Sequence, residues 1–82
     1  MRDKEAAARA FGDVLRELRL QKELTQDGLA EKAGTERSHI SALERAEKGP
    51  SLATILTLAA ALEISPGHLI DLVDQRIRSK IR

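Results

Sequence analysis

The sequence has no cysteine, tryptophan or tyrosine, and Phe11 is its only aromatic residue. Without cysteine, the chain forms no disulfide bond, cysteine-ligated zinc site or catalytic thiolate. With one aromatic ring, it lacks the stacking surfaces that hold single-stranded nucleic acid. No apolar run approaches the roughly 20 residues that a membrane-spanning helix needs, and the polar N-terminus lacks the apolar segment of a signal peptide. We therefore expect a cytoplasmic protein that does not contact a membrane.

Charge of either sign is barely in excess, since 14 lysines and arginines face 13 acidic residues, for a net charge of +1. DNA-binding domains usually carry a basic face. Here such a face has to come from the arrangement of the charges, and composition alone does not point to DNA. The length of 82 residues predicts a single domain with a small, mainly aliphatic core.

The middle of the chain contains two short helical patterns separated by Gly34. The first is predicted over residues 26–33, where Thr25 is an N-cap and Gly34 takes the left-handed conformation that ends a helix. The second is predicted from residue 36 to about residue 45, with Thr35 as its N-cap.

The two central helices present different surfaces. Leu29 and Ala30 give the first an apolar face, whereas Ile40 and Leu43 are the large apolar residues of the second. The other side chains of the second helix are small, polar or charged, and we expect them to point outward. Two such helices joined by a tight turn have the layout of a helix-turn-helix.

Three further helices are predicted around this pair. The first covers residues 6–22 and includes Gly12, where a backbone or a large side chain is expected to pack closely. Residues 1–5 precede it as a flexible polar arm. The fourth helix is capped by Ser51, and the fifth begins at Pro66. The apolar positions are Phe11, Val14, Leu15 and Leu18 in the first helix and Leu52, Ile55, Leu56, Ala59 and Leu62 in the fourth.

The central residues resemble one known family. The matching segments are Leu24-Thr25-Gln26, Leu29-Ala30, Ala33-Gly34, Ile40-Ser41 and Leu43-Glu44-Arg45. They resemble the Cro/phage-repressor-type helix-turn-helix regulators, or XRE family, and the likeness extends over roughly residues 10–72. It implies an all-α, compact five-helix bundle of the lambda-repressor-like DNA-binding type, in which helices 2 and 3 form the helix-turn-helix. Residues 6–82 then form one domain. Ala46 stands where the family often has a glycine, so helix 3 is expected to run slightly longer.

The resemblance also implies that helix 3 lies in the major groove. This placement predicts which side chains read bases, because the N-terminal residues of that helix reach the base edges. The candidates are Glu36, Arg37, Ser38, Ser41 and Ala42. Arg37 is the strongest reader, since arginine bonds guanine bidentately. Glu36 either accepts from cytosine or serves as a first-turn carboxylate favoured by the helix dipole.

Contacts to the DNA backbone are predicted at both ends of the motif. The candidates are Thr25, Gln26, His39, Arg45 and Lys48. The resemblance implies that Gln26 touches a phosphate while bracing helix 3; an exposed glutamine is the alternative. It also implies an ion pair between Arg19 and Glu44. The alternative is that Arg19 lies at the surface without a partner.

No catalytic or metal-binding arrangement is visible. His39 and His68 are isolated, and neither belongs to a two-histidine metal motif. No serine stands in a glycine-flanked elbow, and no phosphate-binding glycine loop precedes a helix. We therefore predict a protein that is not an enzyme and that has no metal and no cofactor.

The last helix carries more apolar residues than one small core needs. Leu69 and Leu72 are assigned to the core, which leaves a second stripe formed by Ile70, Val73, Ile77 and Ile81. An exposed aliphatic stripe usually marks an interface, so residues from about 66 to 82 are predicted to be a dimerisation helix. A frayed tail is the alternative for residues 77–82.

These features predict a sequence-specific transcriptional regulator that binds double-stranded DNA as a homodimer on a palindromic operator. A restriction–modification controller or a phage-type regulator is favoured, without a deciding residue. The alternative is an antitoxin or adaptor that uses the same helical bundle to bind a protein. No small-molecule ligand is expected.

Overall fold

The computed structural model describes residues 3–81, and its side chains are described through residue 79. These residues form helices and no strand. The helices are α1 Lys4–Gln21, α2 Gln26–Ala33, α3 Arg37–Glu44, α4 Leu52–Ala61 and α5 Pro66–Ile81. The all-α bundle of five helices predicted from the sequence is confirmed, and α2 has the predicted bounds.

The first helix begins earlier than the apolar pattern indicated. Asp3 is its N-cap, and the Asp3 carboxylate accepts a hydrogen bond from the amide of Glu5 at 2.9 Å. Lys4 and Glu5, which we assigned to a flexible arm, are therefore helical. Periodicity starts only where apolar residues start, at Ala6, so it could not detect a first turn that is held by a polar cap.

Four helices end in the same way, with one residue in the left-handed conformation. These residues are Glu23, Gly34, Ala46 and Glu63, with φ between 59° and 71°. In each case the next amide bonds to a carbonyl five residues back, as in a Schellman motif. Only Gly34 was predicted to end a helix in this conformation, because the other three side chains pay a steric penalty there.

Two predictions about α3 are wrong for this reason. The helix ends at Glu44 instead of running longer, since Ala46 adopts the conformation that a glycine would have. Thr35 does not cap α3, because it completes the end of α2 by donating its amide to Ala30 at 2.9 Å. Glu36 is the N-cap, without a side-chain capping bond.

The core forms around α1, which packs against both α3 and α5. The fully buried large side chains are Leu15, Leu29, Ile40, Leu43, Leu58, Leu62 and Leu69. Gly12 has the close neighbour predicted for it, since an added Cβ atom would lie 2.8 Å from the carbonyl oxygen of Glu44. The backbones of α1 and α3 are therefore in direct contact.

The expected apolar face of α4 is only partly buried. Ala59 and Leu62 are in the core as expected, but Leu52 is 72% exposed and Leu56 is 49% exposed. Leu58, which was not assigned to that face, is buried. This helix is apolar on nearly every side, so periodicity could not distinguish its faces. Within residues 3–81, no single helix is both long and apolar enough to cross a membrane, and α4 meets those limits only together with α5, across a bend of 107°.

Candidate nucleic-acid interface

The orientation of α3 follows from its two large apolar side chains. Ile40 and Leu43 are fully buried against α1 and α2, which turns the opposite side of the helix to solvent. That side presents Ser38, Ser41, Ala42 and Arg45 at helical spacings of three, four and seven residues. It forms a continuous row of small and basic groups.

The predicted base contacts are all found on or beside this row. Glu36, Arg37 and Ser38 are exposed at the start of α3, and Ser41 and Ala42 are half-buried one turn later. Glu36 makes no bond to the amides of α3, so both of its predicted roles stay open.

A buried polar network fixes α3 to the rest of the bundle. Arg19 donates to Glu44 twice, from Nε to Oε2 at 2.6 Å and from Nη2 to Oε1 at 3.2 Å. Only 9% and 4% of these side chains are exposed. Arg19 also donates to the carbonyl of Leu24 at 2.9 Å, and Gln26 donates to Glu44 Oε1 at 3.0 Å. The network joins α1, the start of α2 and the end of α3.

Four of the predicted phosphate contacts form two groups in the sequence, which meet at Glu44 because that residue bonds to Gln26 and directly precedes Arg45. Thr25 and Gln26 lie at the start of α2, where the Thr25 hydroxyl accepts from the amide of Gly28 at 2.9 Å. Arg45 and Lys48 are exposed at the end of α3.

His39 lies apart from both of these groups, on the flank of α3 that faces α4. Its Nδ1 shares a hydrogen bond of 3.0 Å with the Thr35 hydroxyl. A shallow groove there is lined by His39 together with Thr54 and Thr57.

Two features of this surface were not found from the sequence. Glu47 forms an ion pair with Arg45, with 3.1 Å between Arg45 Nε and Glu47 Oε2; no local pattern signals it, because it depends on the unexpected conformation of Ala46. The exposure of Leu52 was also not predicted, because α4 is apolar on nearly every side. Within the described part of the chain, no group of three or more potential ligands could hold a metal ion.

Comparison with known proteins identifies the family. The sequence profile of the helix-turn-helix family matches residues 15–69. The chain belongs to the helix-turn-helix family. The resemblance drawn from its central segments is thereby confirmed.

Two curated relatives of this helix-turn-helix protein are regulators by name. The immunity repressor protein of Bacillus phage phi105 is 37% identical over 59 residues, which are 72% of this chain and 41% of the repressor. This chain thus spans about two fifths of that repressor. The uncharacterized HTH-type transcriptional regulator y4dJ of Sinorhizobium fredii is 33% identical over 64 residues, 78% of this chain and 83% of the relative.

Solved structures of similar helix-turn-helix proteins include restriction-modification controllers. The controller protein C.AhdI from Aeromonas hydrophila is 44% identical, with a TM-score of 0.78 over 83% of this chain and 99% of that one. The wild-type controller C.Esp1396I is 25% identical, with a TM-score of 0.80 over 87% of this chain and 91% of that one. The helix-turn-helix protein is accordingly a DNA-binding transcription regulator.

Proposed function

We propose that this regulator recognises specific sequences in double-stranded DNA by placing α3 in the major groove. The observation that carries the proposal is the outward row on α3 combined with the buried Arg19–Glu44–Gln26 network behind it. A reading helix needs a fixed orientation to align side chains with base edges, and the network holds the end of α3 through three hydrogen bonds to Glu44.

The contacts follow from the chemistry of each exposed group. Arg37 bonds the O6 and N7 atoms of guanine, Ser38 and Ser41 bond either type of base, and Ala42 packs on a thymine methyl group. Glu36 accepts from cytosine or completes the helix terminus. The phosphate contacts come from Thr25, Gln26, His39, Arg45 and Lys48.

We infer that the protein acts as a homodimer, through a surface that includes Ile70. Ile70 is 45% exposed, as the predicted stripe requires. Val73 is half-buried and packs on the core, and Ile77 is also half-buried. The Ile81 side chain lies outside the described residues. The predicted stripe therefore exposes less apolar surface for a dimer interface than the sequence indicated.

A broader apolar surface surrounds Ile70. An apolar groove between α1, the α3–α4 connection and α5 is lined by Phe11, Pro50, Ile55, Ile70 and Val73. The strongly exposed Leu52 and Leu56 are on α4, next to Ile55. Exposed apolar surface of this kind is typical of an interface. In a two-fold dimer, the same surface of each subunit would pack against its partner.

Dimerisation implies a palindromic operator. Two α3 helices about 34 Å apart would read successive major grooves on one side of the duplex.

The similarity to C.AhdI, which covers 99% of that controller, supports a controller-type regulator over a phage-type one.

Selection of bound sites from random duplex DNA tests this function. The expected result is one enriched motif with two inverted half-sites whose centres are about 10 base pairs apart. Failure to enrich any motif would remove the function and favour an adaptor or antitoxin that binds a protein. A single half-site without its inverted repeat would remove the dimer alone.

A further inference from the structure

Arg45 and Glu47 are held side by side just after α3. Ala46, between them, has a φ of 60°, and this turn brings Arg45 Nε to within 3.1 Å of Glu47 Oε2. Side chains two residues apart do not meet along a helix, so the ion pair depends on the left-handed turn. The two side chains are 62% and 57% exposed, so neither is held by the core.

The pair lies on the surface that the proposed function directs toward DNA. Arg45 ends the outward row that begins at Ser38, and Lys48 follows within the same loop. A guanidinium at this place attracts phosphate, but the Arg45 guanidinium is already paired with the Glu47 carboxylate. The negative charge of that carboxylate offsets part of the attraction between the guanidinium and a phosphate.

We propose that Glu47 competes with DNA phosphate for Arg45 and thereby lowers the affinity of the protein for duplex DNA. The inference rests on the proposed function. Before binding, the carboxylate occupies the guanidinium. On binding, a phosphate displaces it, because exposed ion pairs are weak, and the free energy of the lost Arg45–Glu47 pair is subtracted from that of binding. Glu47 thus sets DNA affinity without contacting DNA.

Glu47→Gln tests the proposal, because it removes the charge and keeps the shape. The probe is a duplex carrying the selected site, titrated at several salt concentrations. We expect about 3- to 10-fold tighter binding at low salt and a slope of log affinity against log salt that steepens by up to about one. Glu63→Gln is the matched control: it removes the same charge at the far end of α4, and affinity should stay within about 2-fold of wild type.

The same substitution in an Arg45→Ala background separates competition from simple repulsion. If Glu47 acts through Arg45, the gain should fall below about 2-fold in that background. An undiminished gain would overturn the proposal, because the carboxylate would then repel phosphate by itself. No gain in the wild-type background, or an equal gain from Glu63→Gln, would also overturn it. If wild-type protein enriches no duplex from random DNA, the proposed function fails first and this inference fails with it.

Discussion

A Cβ atom built on Gly12 would come within 2.5 Å of the carbonyl oxygen of Leu43. Gly12 lies in the middle of α1, and Leu43 lies in the last turn of α3. Real Cβ atoms do not approach a backbone oxygen this closely, so only glycine allows the two helices to cross at this distance. The crossing sets how deeply α3 rests on the core.

Gly12→Ala should lower the free energy of unfolding by about 1–3 kcal/mol, although alanine is the better helix former, because the opposing atoms are backbone and cannot rotate away. Gly67→Ala is the control, since nothing lies within 4 Å of a Cβ atom there, and it should be neutral or stabilise by about 0.5–1 kcal/mol. Urea denaturation of both variants makes the comparison. Equal changes would refute the close contact.

Removing either member of the Arg19–Glu44 pair should cost about 3–5 kcal/mol, because it leaves a buried charge without its partner. Arg19→Ala, Glu44→Ala and the double variant would be compared by denaturation, and the double variant should lose clearly less than the sum of the two. Strict additivity would mean that the side chains do not interact. The exposed Arg78–Asp74 pair, with 2.8 Å between Nε and Oδ2, is the control, and Arg78→Ala should leave stability nearly unchanged, because exposed ion pairs contribute little.

Ala46→Gly should stabilise the protein by about 1 kcal/mol, because Ala46 has a positive φ that glycine adopts without strain. The control is the same change at Ala60, an exposed residue of α4, which should lose about 0.5–1 kcal/mol. Thermal unfolding of the two variants should therefore shift in opposite directions. A loss of stability at both positions would count against the left-handed turn.

Arg37→Ala should cost about 1–3 kcal/mol on the selected DNA site and relax the preference at one base pair. Lys48→Ala should weaken selected and scrambled duplexes by similar factors, since a phosphate contact carries no sequence information. Lys48 is a better comparison than Gln26, which also braces Glu44. Both variants would be titrated against both duplexes at one salt concentration. If Arg37→Ala loses equal affinity on the two duplexes, Arg37 does not contact a base.

Leu52→Glu should shift the protein from dimer to monomer and reduce binding to the full palindrome, because a charge would be buried in the proposed interface. Folding should be unaffected, since Leu52 is 72% exposed. Leu20→Glu is the control at a 52% exposed leucine in the last turn of α1, away from the groove. Sedimentation reports the mass of each; a Leu52→Glu dimer at micromolar concentration would place the interface elsewhere.

The helix-turn-helix could be predicted closely from the sequence because its signals are local. Thr25 caps α2, Gly34 ends it, and Ile40 and Leu43 set the face that α3 buries. The Arg19–Glu44 contact came from the family resemblance instead. No local pattern joins residues 25 positions apart in the chain.

Other parts could not be predicted because their causes are not local. Ala46 and Glu63 take left-handed conformations that their side chains disfavour, so packing around the helix ends decides them. Leu52 and Leu58 belong to a helix that is apolar on nearly all sides, and only the position of its neighbours chooses which of them is buried.

Because of the Arg19–Glu44–Gln26 network, α2 and α3 cannot simply be moved by themselves into another protein. A peptide cut to residues 24–50 would keep every proposed DNA contact, yet Glu44 would lose the guanidinium of Arg19, and Ile40 and Leu43 would lose the α1 surface that covers them. Two eight-residue helices are too short to be stable in water without such support. Grafting the specificity of this protein onto another scaffold would therefore mean exchanging the exposed side chains of α3 within an intact bundle.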